Sequence, residues 1–121
     1  MVVRIGVVGA GYWSEECHVP GLKLADEAEV VALSGRRVEN TKSQAARLSI
    51  PKVYTDYRTM LEEEELDAIT ITTPNSTHRE IALAALEKGL SVFCEKPLAL
   101  NAEEAAEMAA AAGKLGLVNH V

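Results

Sequence analysis

The 121 residues make one domain, and 48% hydrophobic with 25% charged residues is the balance of a globular chain with a real core, which excludes disorder and low complexity. Aromatic residues are only 4%, and 12 basic against 18 acidic side chains leave a net charge of −6, which argues against a nucleic-acid grip through base stacking or a basic face. Any anion must be held locally, by backbone N–H groups or one or two arginines.

In chain order, short β-branched runs alternate with helical patterns, the signature of repeated βα units and a parallel sheet. The first run, Val2 to Val8, leads into Gly9-Ala10-Gly11-Tyr12-Trp13-Ser14 and then a helical pattern. A glycine-rich turn between strand and helix has a phosphate-binding mechanism. The first glycine permits the tight turn, the second lets backbone approach a pyrophosphate, and the helix N-terminus aims N–H groups at it. Ser14 stands where a third glycine is usual, and its small size still lets the helix lie close to the strand. The alternative is an ordinary turn. His18, four residues after Ser14 and followed by Val19-Pro20, is expected on the helix surface beside a proline bend.

The second run, Glu29 to Ser34, ends in Ser34-Gly35-Arg36-Arg37. Dinucleotide folds usually carry a carboxylate there for the ribose 2′-hydroxyl. Two guanidinium groups instead suit a 2′-phosphate, so NADP(H) is expected in preference to NAD(H). The plainer alternative is two solvated charges opening the next helix. A short strand at Lys52 to Tyr54 follows, then a helix capped by Asp56 that runs into Glu62-Glu63-Glu64-Glu65, read as a solvated helix end.

The run Ala68 to Thr72 ends in Thr73-Pro74-Asn75-Ser76-Thr77-His78. Thr77 with Glu80 predicts a capping box ahead of a helix through Lys88, closed by Gly89. His78, in the first helical turn, either donates to a ribose or amide group or faces solvent. Leu90 to Cys94 ends in Glu95-Lys96-Pro97. Asn101 with Glu104 caps the Ala-rich helix that follows, and Leu117 to Val121 forms a sixth strand. Runs without clean polar alternation are covered on both faces. The fold expected is therefore α/β, a doubly wound parallel sheet, with every suggestive motif on a strand's carboxyl end, where open sheets bind ligands.

The glycine loop, Thr73-Pro74-Asn75 with His78, and above all Glu95-Lys96-Pro97 after an apolar strand resemble the Gfo/Idh/MocA oxidoreductases, named for glucose-fructose oxidoreductase and inositol dehydrogenase. The resemblance runs from Arg4 to the end of the chain. It implies a Rossmann domain over residues 1–121, with Gly9, Gly11, Tyr12 and Trp13 around the pyrophosphate. Ser34, Gly35, Arg36 and Arg37 would lie near the adenosine ribose, and Thr73, Pro74, Asn75 and His78 along the middle of the cofactor. Glu95 and Lys96 would contact the nicotinamide ribose, Asn119 would lie near the nicotinamide, and Lys96 would reach the substrate as the catalytic residue. An ammonium there stabilises charge developing on a reacting oxygen, and burial would let it shuttle a proton. The simpler reading of Lys96 is a strand-end lysine paired with Glu95.

The resemblance also implies a substrate domain that follows this one and supplies a proton-transferring histidine; that domain is absent from this chain. The expected function is the cofactor domain of an NAD(P)-dependent dehydrogenase for a sugar, cyclitol or related alcohol or carbonyl, binding cofactor with little turnover alone. The alternative is a stand-alone nucleotide-binding or sensing module. Cys17 and Cys94, without CxxC spacing, are expected to be buried free thiols, and the dispersed histidines imply no metal. With no secretory signal or roughly 18-residue apolar span, a cytoplasmic location without membrane partners is expected. The oligomeric state is left open.

Overall fold

Six strands and five helices alternate in a computed structural model that describes residues 1–121. The strands are β1 (Val3–Val8), β2 (Ala28–Ser34), β3 (Lys52–Tyr54), β4 (Ala68–Ile71), β5 (Ser91–Cys94) and β6 (Asn119–His120). The helices are α1 (Val19–Leu22), α2 (Val38–Arg47), α3 (Tyr57–Glu63), α4 (His78–Glu87) and α5 (Ala102–Leu115). All strands are parallel, in the order β3-β2-β1-β4-β5-β6. The chain winds from β1 outward to β3, then crosses back to β4 and winds the other way. That reversal opens a crevice at the carboxyl ends of β1 and β4.

Both faces of the sheet are buried, which is why the strands read as apolar runs. On one face Val31, Ile69, Ile71, Val92 and Cys94 meet Met60, Ile81, Ala85, Met108 and Ala112. On the other, Val7, Val30 and Leu33 meet Val19, Ala45 and Ile50. Leu33 and Ile71 are wholly buried, each worth about 1.5–3 kcal/mol of transfer free energy. The sixth strand is shorter than its sequence run, because only Asn119 and His120 pair, with Val92 and Phe93.

Helix ends divide into those the sequence anticipates and one it does not. Asp56 accepts from the Arg58 N–H at 2.9 Å, and Asn101 from the Glu104 N–H at 2.9 Å. Gly89 adopts φ +79° after α4. The Thr77 capping box is absent. Pro74 launches a 3-10 turn over Asn75–Thr77, so Thr77 is already helical at φ −102°, ψ −9°, and its hydroxyl bonds Pro74 O and Thr73 Oγ1 instead. Glu80 turns away to Arg58 and Tyr57.

The segment after the glycine loop also departs from a plain helix. Ser14–His18 forms a π-helical turn, with the Val19 N–H bonded to Ser14 O. Pro20 has no N–H with which to close an α-helical bond, and the widened turn accommodates it. The acidic run ends α3 but is not wholly free: Glu62 pairs with Lys88, and Glu64 accepts from the Tyr54 hydroxyl. No helix is long and apolar enough to cross a membrane.

Candidate functional site

The crevice is a cleft of about 730 Å³ built around the glycine loop. Gly9 stands at φ +117°, and a Cβ there would lie 2.6 Å from Thr72 Oγ1 and 2.9 Å from the Thr72 carbonyl carbon. Only glycine fits, because the loop turns tightly against the end of β4. Gly35 is constrained by approach, since its Cβ would meet Thr41 Oγ1 at 2.4 Å and Ala10 Cβ at 2.7 Å. At Gly11 a Cβ would meet nothing within 4 Å. That space over the second glycine is the cradle a pyrophosphate needs, so the loop fits the group its motif implies.

Polar side chains, Ser14 and Gln44 buried and Asn40 exposed, hold the loop. Ser14, fully buried, accepts from the Gly11 N–H at 3.1 Å and donates to Gly11 O at 2.9 Å. Gln44 donates to Ser14 Oγ at 2.8 Å, and Asn40 to Ala10 O at 2.9 Å. Ser14 is thus the hub of the loop as well as a small residue. No motif marks Asn40 and Gln44; their spacing of four, which places both on one helix face, is their only signal.

Gly9, Gly11, Ser34, Gly35, Arg36, Arg37, Thr73 and Pro74 all line the cleft, joined by Tyr57 and Arg58, which carried no sequence motif, and by Glu80, expected only as part of a helix cap. Arg58 pairs with Glu80 and lies 4.7 Å over the Tyr57 ring. Asp56 is occupied as a helix cap. Arg36 and Arg37 are exposed and form no ion pair with the chain, which leaves two unmatched positive charges at the end of β2.

A second group gathers on the β5 side of the loop. Tyr12 and Trp13 are exposed, 68% and 48%, and meet edge to face at 5.2 Å. The Lys96 ammonium lies 5.9 Å over the Trp13 ring. Lys96 is exposed, and its ammonium does not pair with Glu95; only its backbone N–H bonds that carboxylate, at 3.1 Å. The Lys96–Pro97 peptide is cis.

Two histidines and a cysteine differ from expectation. His18 is buried, 7% exposed, because Ser14 and His18, four apart, share the inward face of the turn. Its Nδ1 lies 2.6 Å from Thr70 Oγ1 and its Nε2 2.9 Å from Glu95 Oε1. This hydrogen bond is the main reason the Glu95 carboxyl sits below its usual range. His78 is wholly buried, and neither nitrogen is free: Nδ1 lies 2.9 Å from Pro97 O and Nε2 2.8 Å from Thr73 O. The 3-10 turn rotates the ring inward, so it braces two loops instead of facing cofactor or solvent. His120 meets the Phe93 ring edge to face, at 5.1 Å. Cys17 is exposed, while Cys94 is buried and its thiol pushed up to about 12, mainly by burial and then by Glu95. No three His, Cys, Asp or Glu side chains are placed to hold a metal.

Asn75 is exposed on the 3-10 turn. Asn119 lies apart from the cleft. It pairs with Val92, two residues short of the end of β5, and lines a separate cavity of about 40 Å³ with Cys94, Met108 and Ala112.

A reversed parallel sheet, a glycine turn against β4 and an open cradle above it define a domain of the dinucleotide-binding Rossmann class. The profile of the GFO_IDH_MocA family, described as an oxidoreductase family with an NAD-binding Rossmann fold, matches residues 3–121. The chain belongs to this Gfo/Idh/MocA family. It is 34% identical over 116 residues to D-glucoside 3-dehydrogenase of Escherichia coli K12, covering 96% of this chain and 33% of that protein. Its fold matches myo-inositol 2-dehydrogenase of Lactobacillus plantarum with a TM-score of 0.90 at 30% identity, over 99% of this chain and 36% of that one. It also matches KijD10, a 3-ketoreductase of Actinomadura kijaniata in complex with NADP, with a TM-score of 0.89 at 30% identity, over 97% of this chain and 37% of that one. The chain thus spans about a third of the length of these relatives.

Proposed function

We propose that residues 1–121 hold NADP(H), in preference to NAD(H), as the cofactor-binding part of a dehydrogenase acting on a sugar, cyclitol or related alcohol or carbonyl. The observation that carries the cofactor preference is the unpaired Arg36 and Arg37 on the cleft wall, at a strand end that has no carboxylate. The substrate class rests on the names of the relatives.

Gly9 and Gly11 would hold the pyrophosphate, with Tyr12 and Trp13 beside it. Ser34 and Gly35 would flank the adenosine ribose while the arginines take its 2′-phosphate. Thr73, Pro74 and Asn75 would edge the middle of the cofactor, with His78 bracing their loop. The bound nicotinamide supplies the hydride acceptor or donor. Glu95 and Lys96 stand at the nicotinamide side, where the Lys96 ammonium would stabilise negative charge on the reacting oxygen. Its exposure favours this electrostatic role over a shuttle tuned by burial. Asn119 would need the strand end to move before it approached the ring. Substrate pocket and proton-transfer groups would come from a further domain, so this chain alone turns over little substrate.

Competitive titration with NADPH and NADH tests the preference. NADPH binds tighter to the wild-type chain, and Arg36→Ala/Arg37→Ala weakens NADPH by about ten-fold or more while barely changing NADH. Equal or tighter NADH binding by the wild-type chain contradicts the reading.

A further inference from the structure

We propose that His18 is a positioning residue of the cofactor site: its imidazole locks the Glu95 carboxylate and so fixes the backbone from which Lys96 projects beside the glycine loop. This rests on the reading that the site takes a nicotinamide dinucleotide.

Three elements converge on the ring. The π-helical turn supplies His18, the middle of β4 supplies Thr70, and the end of β5 supplies Glu95. The His18 side chain is 4% exposed and stacks on Phe93 at 4.8 Å with 27° between the planes, so it cannot tip. Nε2 donates to Glu95 Oε1 at 2.9 Å, and the Lys96 N–H donates to Oε2 at 3.1 Å. Both oxygens are held, and the carboxylate keeps one orientation although its side chain is 22% exposed. Without the imidazole, a glutamate at a strand end regains its rotamers and turns to water.

Thr70 makes the arrangement tolerant of the ring's charge. Its hydroxyl donates to Nδ1 of a neutral ring or accepts from a charged one, so Nε2–H stays on Glu95 either way. The other charged groups nearby are committed or remote. Glu15 pairs with Arg47, the Lys96 ammonium lies over Trp13, His120 meets Phe93, and Glu16 and Cys17 are exposed on the same turn. Because His18 shares a face with Ser14, the hub of the loop, one ring couples the phosphate-binding turn to the Glu95-Lys96 strand end. No motif relates these two segments.

The test compares the full 121-residue chain as wild type, His18→Ala and His18→Gln, whose amide can still donate towards Glu95. NADPH affinity is read through energy transfer from Trp13, the one tryptophan. The Glu95 titration is followed by carboxyl carbon NMR, assigned with Glu95→Gln. His18→Ala weakens NADPH about ten-fold and raises the Glu95 midpoint, and His18→Gln restores most of both. Equal impairment of the two variants with an unmoved Glu95 midpoint overturns the proposal. If the wild-type chain binds neither NADPH nor NADH, the cofactor reading fails, and the Glu95 midpoints still decide whether His18 locks the carboxylate. Should His18→Ala not fold, His18→Asn, too short to reach Glu95, takes its place with the same expected and overturning results.

Discussion

Replacing Gly9 and Gly11 separately by alanine separates the two demands on the loop. At Gly9 an alanine must adopt φ +117° and press its methyl within 2.9 Å of the Thr72 carbonyl carbon. The backbone costs about 1–2 kcal/mol and the overlap about 1–3, or roughly 2–5 kcal/mol together. A chain of this length holds only roughly 6–18 kcal/mol of stability. With a urea slope of about 2 kcal/mol/M, the unfolding midpoint of Gly9→Ala falls by about 1–2.5 M. Gly11 has neither constraint, since a Cβ there meets nothing within 4 Å. Gly11→Ala therefore unfolds within about 0.5 kcal/mol of wild type. Its methyl occupies the pyrophosphate space, and an overlap of about 1–3 kcal/mol weakens NADPH roughly 5- to 150-fold. Urea melts and NADPH titrations of both variants are the assay. The reasoning is refuted if Gly9→Ala is as stable as wild type, or if Gly11→Ala binds NADPH undiminished.

Other consequences are as direct. Asn101→Ala loses the cap on α5 and about 1 kcal/mol in urea melts, while Asn101→Asp keeps most of it. Glu95 titrates lower in the folded chain than its usual value, chiefly because of His18, so its stabilisation is complete above the ordinary carboxylate range and is lost as pH falls through that range to the folded value. The stability deficit of Glu95→Gln is accordingly largest near neutral pH and shrinks below about pH 4; a deficit constant from neutral pH into acid contradicts this. Iodoacetamide labels Cys17 in the native chain and Cys94 only after unfolding, because burial and the raised thiol pKa protect Cys94.

The parallel sheet was legible because its evidence is local: β-branched runs, glycine turns, and the Asn101 and Asp56 caps act within a few residues. The cleft was legible for the same reason, since motifs at strand ends converge once the strands are parallel. What escaped the sequence depends on long-range partners or on one turn's phase. His18 reads as a surface residue beside the bend at Pro20, whereas its spacing of four from Ser14 turns it inward, towards Glu95 and Thr70 on other strands. The 3-10 turn after Pro74 undid the Thr77 cap and buried His78 between carbonyls from two loops. Asn40 and Gln44 acquire meaning only when α2 packs behind the glycine loop. The resemblance alone places Asn119 near the nicotinamide; here it pairs with Val92 and lines a small cavity outside the cleft.

The account centres on cofactor lying in the cleft between the glycine loop and the arginines. Backbone amide chemical shifts recorded as NADPH is added test this most directly. The account predicts that the largest changes fall on Gly9 to Trp13, Ser34 to Arg37 and Thr73, with smaller ones at Glu95 and Lys96. Changes concentrated elsewhere, or none at saturating NADPH, contradict it.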